Sequence, residues 1–321
     1  MASHIVDSVF LKDLYGTPEM RAVFDDMSLL QKWLDTEAAL AQSEAELGLI
    51  PVEAAAEISK RARVDQLDLE RMKHLVDETV HPLMPLIRVL QAACQGGAGE
   101  YIHWGATTQD IMDTAMILQV KDAFGIFERR LDALIDSLAG MAAGYRDTPM
   151  AGRTHGQQAL PITFGYKVAV WLAEVLRHRQ RLAECKPRVL VGQFGGAVGT
   201  LASVSAYGLQ IQADLLARLG LGVPLIAWHT ARDNLAEFAS VLAMLAATTG
   251  KIAHEVISLQ RTELAEVEEP FNAGKVGSST MPHKRNPMFC EAVQALARYV
   301  MHVAPVAMEA MIQEHERDWT G

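Results

Sequence analysis

Residues 277–287 read Gly277-Ser278-Ser279-Thr280-Met281-Pro282-His283-Lys284-Arg285-Asn286-Pro287, which gathers hydroxyl, ammonium, guanidinium and amide groups in one short stretch. The glycine lets backbone approach a ligand closely, and Lys284, Arg285 and Asn286 supply donors for an anion. A serine hydroxyl is a poor base unless its alkoxide is stabilised. The N–H groups of a Gly-Ser-Ser turn and the nearby Lys284 could supply that stabilisation. The same residues also suit a flexible basic surface loop, and spacing alone does not separate the two readings. Glycines and prolines interrupt residues 274–287, and no apolar period runs through them, so a loop between long helices is expected.

Three further stretches carry polar groups where a ligand would meet them. Arg153-Thr154-His155-Gly156-Gln157-Gln158-Ala159-Leu160-Pro161 is a polar connector before a helix expected from Pro161. His155 there either contacts a ligand or caps that helix. Gly105-Ala106-Thr107-Thr108-Gln109-Asp110 precedes the longest helical pattern. Thr107 and Thr108 form an anion site with the free N–H groups of the helix start, or simply cap it. Arg232, in Trp228-His229-Thr230-Ala231-Arg232-Asp233, stands beside a cap aspartate and is a candidate for holding a carboxylate. His81, in Glu78-Thr79-Val80-His81, lies before a helix and reads as a cap, a surface residue or a member of the site.

The elements that must position these residues are helices. Apolar residues recur at helical spacing from Leu29 to a stop at Gly48, over 52–62 and 67–76, and from a proline-rich start to Ala93. A pattern of nearly forty residues runs from Ile111 toward Pro149, followed by others over 161–185, 202–219, 233–263 and 288–312. Helices that long belong to bundles. Several are apolar nearly all round; residues 238–249 contain no charge, so such helices are buried on every side, by their own bundle or by a partner subunit. No period-2 run announces a confident strand.

The 321 residues can bury a large core, half of them are apolar and 6% are aromatic, which suits a helix bundle. The net charge of −10 and pI near 5.6 argue against a nucleic-acid partner, and the longest uncharged run, 189–213, is too polar for a membrane span. Three scattered cysteines suit buried thiols in a reducing cytoplasm. No His/Asp/Glu cluster has ligand spacing, so neither a metal nor another cofactor is expected.

The string G-S-S-x-M-P-x-K-x-N-P resembles the signature loop of the aspartase/fumarase (fumarate lyase) superfamily, and its K-R-N-P ending is similar to the branch holding adenylosuccinate lyases and 3-carboxy-cis,cis-muconate cycloisomerases. T-H-G-Q-x-A-x-P at 154–161 resembles a second family motif, and E-T-x-H at 78–81 an element of adenylosuccinate lyases. G-A-T-T-Q-D at 105–110 and the segments 193–200, 228–233 and 313–317 look like cycloisomerases.

The resemblance implies roles. Ser278 would abstract a proton next to a carboxylate that Lys284 and Asn286 hold, with Ser279 and Arg285 beside them. Thr107 and Thr108 would bind another substrate carboxylate, with Gln109 beside them in sequence; His81 would lie in the active site, Arg232 would hold a second carboxylate, and His155 would protonate the leaving group. The implied fold is all-α. A small N-terminal helical domain (1–105) leads into a long-helix bundle (106–321), and four bundles pack into a tetrameric core with sites shared between subunits. Relatives ordinarily continue into a C-terminal domain, and the expectation is that it is absent here.

The implied activity is β-elimination from a substituted succinate, by C–N or C–O cleavage, releasing fumarate from a small di- or tricarboxylate without a cofactor. The alternative is cycloisomerisation of 3-carboxy-cis,cis-muconate to its lactone. A helical oligomer that keeps the fold without turnover is a third reading.

Overall fold

The computed structural model describes residues 4–271, 274, 276–281 and 283–319. Eleven helices are seen among them: α1 (Lys12–Tyr15), α2 (Pro18–Val23), α3 (Asp26–Glu46), α4 (Val52–Arg61), α5 (Leu69–Thr79), α6 (Met84–Ala93), α7 (Thr108–Gly144), α8 (Phe164–Val189), α9 (Gly208–Leu219), α10 (Asp233–Leu259) and α11 (Met288–Glu309). The all-α class holds, with one short hairpin inserted. α7 has 37 residues and is therefore about 55 Å long at 1.5 Å per residue.

The chain forms two compact units that interleave along the sequence. One comprises Pro18–Ile126, Lys186–Asn234 and Ala310–Gly321. Here α3 packs on α4 and α9, and α5 on α6. Leu34, Leu86, Leu90, Ile111, Ile117, Phe124 and Phe194 are fully buried at its centre, each contributing about 2 kcal/mol of hydrophobic stabilisation. Asp25 and Asp68 accept the N–H groups of Ser28 and Arg71, which starts α3 and α5 in register.

The other unit comprises Met1–Thr17, Phe127–Cys185 and Leu235–Glu309. Polar pairs lace its long helices together. Arg179 of α8 meets Asp132 of α7 at 2.5 Å, and His178 of α8 meets Thr248 of α10 at 2.8 Å. Gln294 of α11 meets His254 of α10 at 2.7 Å. At Gly250 a side chain would come within 2.6 Å of the Ala297 methyl, so the glycine is what lets α10 and α11 touch. The outer faces are apolar: Val293, Tyr299, Val303, Val306 and Met308 of α11 are exposed, and Ala297 alone is buried on that helix. Among the described residues one helix, α10, is long and apolar enough to cross a membrane, and 22% of its most apolar stretch is buried within the chain.

Four sequence expectations change. Residues 149–163 are not a plain connector: Pro149–Thr154 (β1) and Gln157–Thr163 (β2) pair antiparallel, with Thr154 opposite Gln157 and Pro149 opposite Thr163. Pro161 lies in β2 rather than opening α8, which starts at Phe164 with the Thr163 hydroxyl accepting the Tyr166 N–H at 3.1 Å. A two-stranded ribbon has two free edges, so a residue lacking an N–H is tolerated there. The helix expected over 202–219 begins only at Gly208, after a 3₁₀ turn over Ser205–Tyr207. α10 stops at Leu259, short of the expected 263.

Candidate functional site

The signature loop is braced from both ends. Gln260, just past α10, donates to the Arg285 carbonyl at 3.0 Å and accepts the Glu269 N–H at 3.1 Å. Glu269 in turn accepts the Phe289 and Cys290 N–H groups at 3.3 and 2.7 Å, capping α11. Arg285 pairs with Glu268 at 2.6 Å and stacks over Phe271, so much of its charge serves the loop. A side chain at Gly277 would come within 2.6 Å of the Lys284 carbonyl, so the glycine allows the loop to fold back on itself.

Within that frame the Ser278 oxygen accepts the Met281 N–H at 3.2 Å and the Thr280 N–H at 3.4 Å. Donors aimed at a hydroxyl oxygen favour its anion. Ser278 is half-buried and Ser279 exposed. Lys284, Arg285 and Asn286 line a cleft of about 780 Å³ together with Gln260, Arg261 and His283. Pro282 of the motif lies outside the described residues.

His155 and Gly156 are the two turn residues of the hairpin, at φ 52° and 75°. Positive φ at both positions is the type I′ arrangement that suits strand twist. The ring therefore sits exposed at a hairpin tip and does not cap α8. Arg153 anchors the ribbon through two bonds to Glu266, at 2.9 and 2.6 Å, which hold the Glu266 carboxyl below its usual range.

In the other unit a pocket of about 300 Å³ is lined by His81, Thr107, Thr108 and Arg317, with Val80, Pro82 and Trp319 as its apolar walls. The Arg317 guanidinium donates to the Thr107 hydroxyl. Asp110, rather than either threonine hydroxyl, reaches back to the N–H of Thr107 at 3.0 Å. His81 Nδ1 accepts the Met84 N–H at 3.1 Å, so this histidine caps α6 while lining the pocket.

Gln109 and Arg232 point elsewhere. Gln109 is buried and donates to the His229 carbonyl at 2.9 Å. Arg232 pairs with buried Asp113 at 2.9 Å and stacks on Trp228. Burial raises the Asp113 pKa and Arg232 offsets part of that rise, so the arginine is engaged with its own chain. Arg317 lines the pocket although nothing in its segment, 313–317, signals this beyond a likeness to cycloisomerases.

Residues 15–302 match the protein family described as Lyase. The chain belongs to the fumarate lyase superfamily. Fumarate lyases similar to it span several chemistries. An N-acetyl-S-(2-succino)cysteine lyase of Enterococcus italicus is 49% identical over 99% of this chain and 70% of its own length. An adenylosuccinate lyase of Methanocaldococcus jannaschii is 45% identical over 100% of this chain and 69% of its own. The crystal structure of 3-carboxy-cis,cis-muconate lactonizing enzyme from Pseudomonas putida superposes with a TM-score of 0.91 at 41% identity, covering 97% of this chain and 70% of that one. The protein is accordingly an enzyme of the fumarate lyase superfamily.

Proposed function

We propose that the enzyme eliminates a thiol from an S-substituted succinate and releases fumarate. The observation that carries the reading is the Ser278 oxygen under the Thr280 and Met281 N–H groups, in a loop whose next turn presents Lys284 and Asn286 to a cleft. A hydrogen beside a carboxylate is weakly acidic, and its removal needs fixed donors around the carboxylate as well as a base. Ser278 as alkoxide takes that proton. Lys284 and Asn286, flanked by Ser279 and Arg285, hold the carboxylate as it gains charge. The electron pair forms the new double bond, the carbon–sulfur bond breaks, and the thiolate leaves with its pair.

A second carboxylate binds at Thr107 and Thr108 with Arg317, beside His81. Gln109 and Arg232 support this subsite from behind, since their side chains are taken by His229 and Asp113. His155 delivers a proton to the leaving group from the hairpin tip. The exposed apolar faces of α10 and α11 support a homotetramer in which several subunits furnish one site. The thiol is favoured by the name of the E. italicus relative.

The second reading is formation of a muconolactone from 3-carboxy-cis,cis-muconate, favoured by the likeness to the P. putida lactonizing enzyme and by the segments around Gln109, Gln193, Trp228 and Gln313. One experiment separates them. Purified enzyme and Ser278→Ala are offered S-(2-succino)cysteine, its N-acetyl form, adenylosuccinate, argininosuccinate and 3-carboxymuconate. Release of fumarate and thiol, lost in Ser278→Ala, supports the proposal. Fumarate from an amine conjugate alone moves the leaving group to nitrogen. Muconate turnover without fumarate supports the cycloisomerase, and silence on all of them overturns both readings.

A further inference from the structure

The carboxylate of Asp110 is fully buried, and segments far apart in sequence meet on it. Oδ1 accepts the Gly195 N–H at 2.9 Å and lies 2.7 Å from His229 Nε2, while Oδ2 accepts the N–H groups of Gly196 and Thr107 at 2.9 and 3.0 Å. A carboxylate accepts only, so the imidazole donates here. Its neighbour Gln109 adds a bond to the carbonyl of the same histidine. An apolar side chain would fill this core without the cost of desolvating an ion. The charge is placed where it ties the start of α7 to the glycine loop at 195–196 and to the 228–232 segment.

The consequence falls on the threonines. With Asp110 holding the N–H of Thr107, the Thr107 hydroxyl is turned to the Arg317 guanidinium and the pocket. We propose that Asp110, seated by His229 and the Gly195–Gly196 backbone, is a positioning residue for the carboxylate subsite at Thr107, Thr108 and Arg317. The inference rests on the proposed reaction for the identity of the anion. Asp110 touches neither substrate nor pocket; it acts through the threonines.

The test compares wild type, Asp110→Asn, Thr107→Val and the double variant by steady-state kinetics and by calorimetric binding of fumarate. An asparagine must aim its NH2 at a donor that the carboxylate accepted, which releases one segment. The expected result is a rise of about tenfold or more in KM and in the fumarate dissociation constant, with kcat within about twofold, as loss of a charged hydrogen bond in binding alone requires. In the Thr107→Val background the same substitution adds little, whereas its effect on melting temperature persists. A purely structural Asp110 would instead give additive effects.

Fumarate affinity unchanged by Asp110→Asn, or full additivity with Thr107→Val, overturns the proposal. If Asp110→Asn does not fold, His229→Leu keeps the carboxylate and its backbone donors. A weaker rise in the fumarate dissociation constant then supports the proposal, and wild-type affinity overturns it. Wild-type enzyme that binds fumarate but turns over no succinate conjugate brings down the reaction alone, and the affinity comparison still decides Asp110. Wild-type protein that binds no fumarate overturns both.

Discussion

Gln260 and Arg285 are joined across the mouth of the signature loop, side-chain amide to backbone carbonyl, at 3.0 Å. The same glutamine accepts the Glu269 N–H, and Glu269 caps α11, so one residue links the end of α10, the loop and the start of the next helix. Gln260→Leu should therefore leave helices intact and loosen the loop that carries Ser278 and Lys284. Two hydrogen bonds at about 1 kcal/mol each correspond to a fall of about tenfold or more in kcat/KM. Steady-state kinetics beside circular dichroism checks this, and a variant with wild-type kcat/KM would reduce the brace to a stability feature.

Arg317 reaches Thr107 across 210 residues of sequence. Its guanidinium and the two threonines form the polar end of a pocket whose other walls are Val80, Pro82 and Trp319. Arg317→Ala should raise KM by about 10- to 100-fold, the cost of one charged hydrogen bond in binding. Arg317→Lys keeps the charge but loses the fork, and should recover part of that loss. Substrate titration of both variants measures it; equal KM values for wild type and Arg317→Ala would remove the residue from the subsite.

Burial pushes the Glu44 carboxyl up to about 8, with the neighbouring charge of Glu37 adding to the rise. Among the described residues neither Glu44 oxygen has a hydrogen-bond partner. The folded-state pKa lies above the ordinary 4.5, so the folded protein binds more protons between those values, and stability falls as pH rises from about 4.5 to about 8. Glu44→Gln removes the titration. Its melting temperature should exceed wild type at pH 8 and above, and the gap should close toward pH 4.5. Scanning calorimetry across that range is the measurement, and a pH-independent gap would contradict it.

The helices were legible because their apolar residues recur at 3.6, and their stops at Gly48 and Gly220 are left-handed glycines at φ 73° and 63°. The hairpin was hidden: Gln157–Thr163 has no alternation and contains Pro161, so the ribbon is set by the His155–Gly156 turn and by the Arg153–Glu266 pair instead. The signature loop could be read as chemistry, since its residue types stand together in sequence. Arg317 and Asp110 could not. A single arginine near a helix end and an aspartate in a helix's first turn look like ordinary surface and cap residues until the fold brings Thr107, Gly195 and His229 to them.

The His155 ring stands at the tip of a tight turn, exposed on its own chain, which suits a group that serves a site completed elsewhere in an oligomer. If it protonates the leaving group, its importance must depend on that group. A thiolate, with a conjugate-acid pKa of about 8.5, departs without prior protonation, whereas an amine must be protonated as it leaves. His155→Ala should therefore slow elimination of a thiol by a factor of about 10 or less and of an amine by about 100 or more, within the range of general acid catalysis. Paired rates on S-(2-succino)cysteine and on an N-substituted aspartate give the ratio. Equal losses on the two substrates would show that the histidine binds substrate and moves no proton. Gly156→Ala adds a control: the turn disfavours a side chain at φ 75°, so this variant displaces the tip and should lower both rates alike.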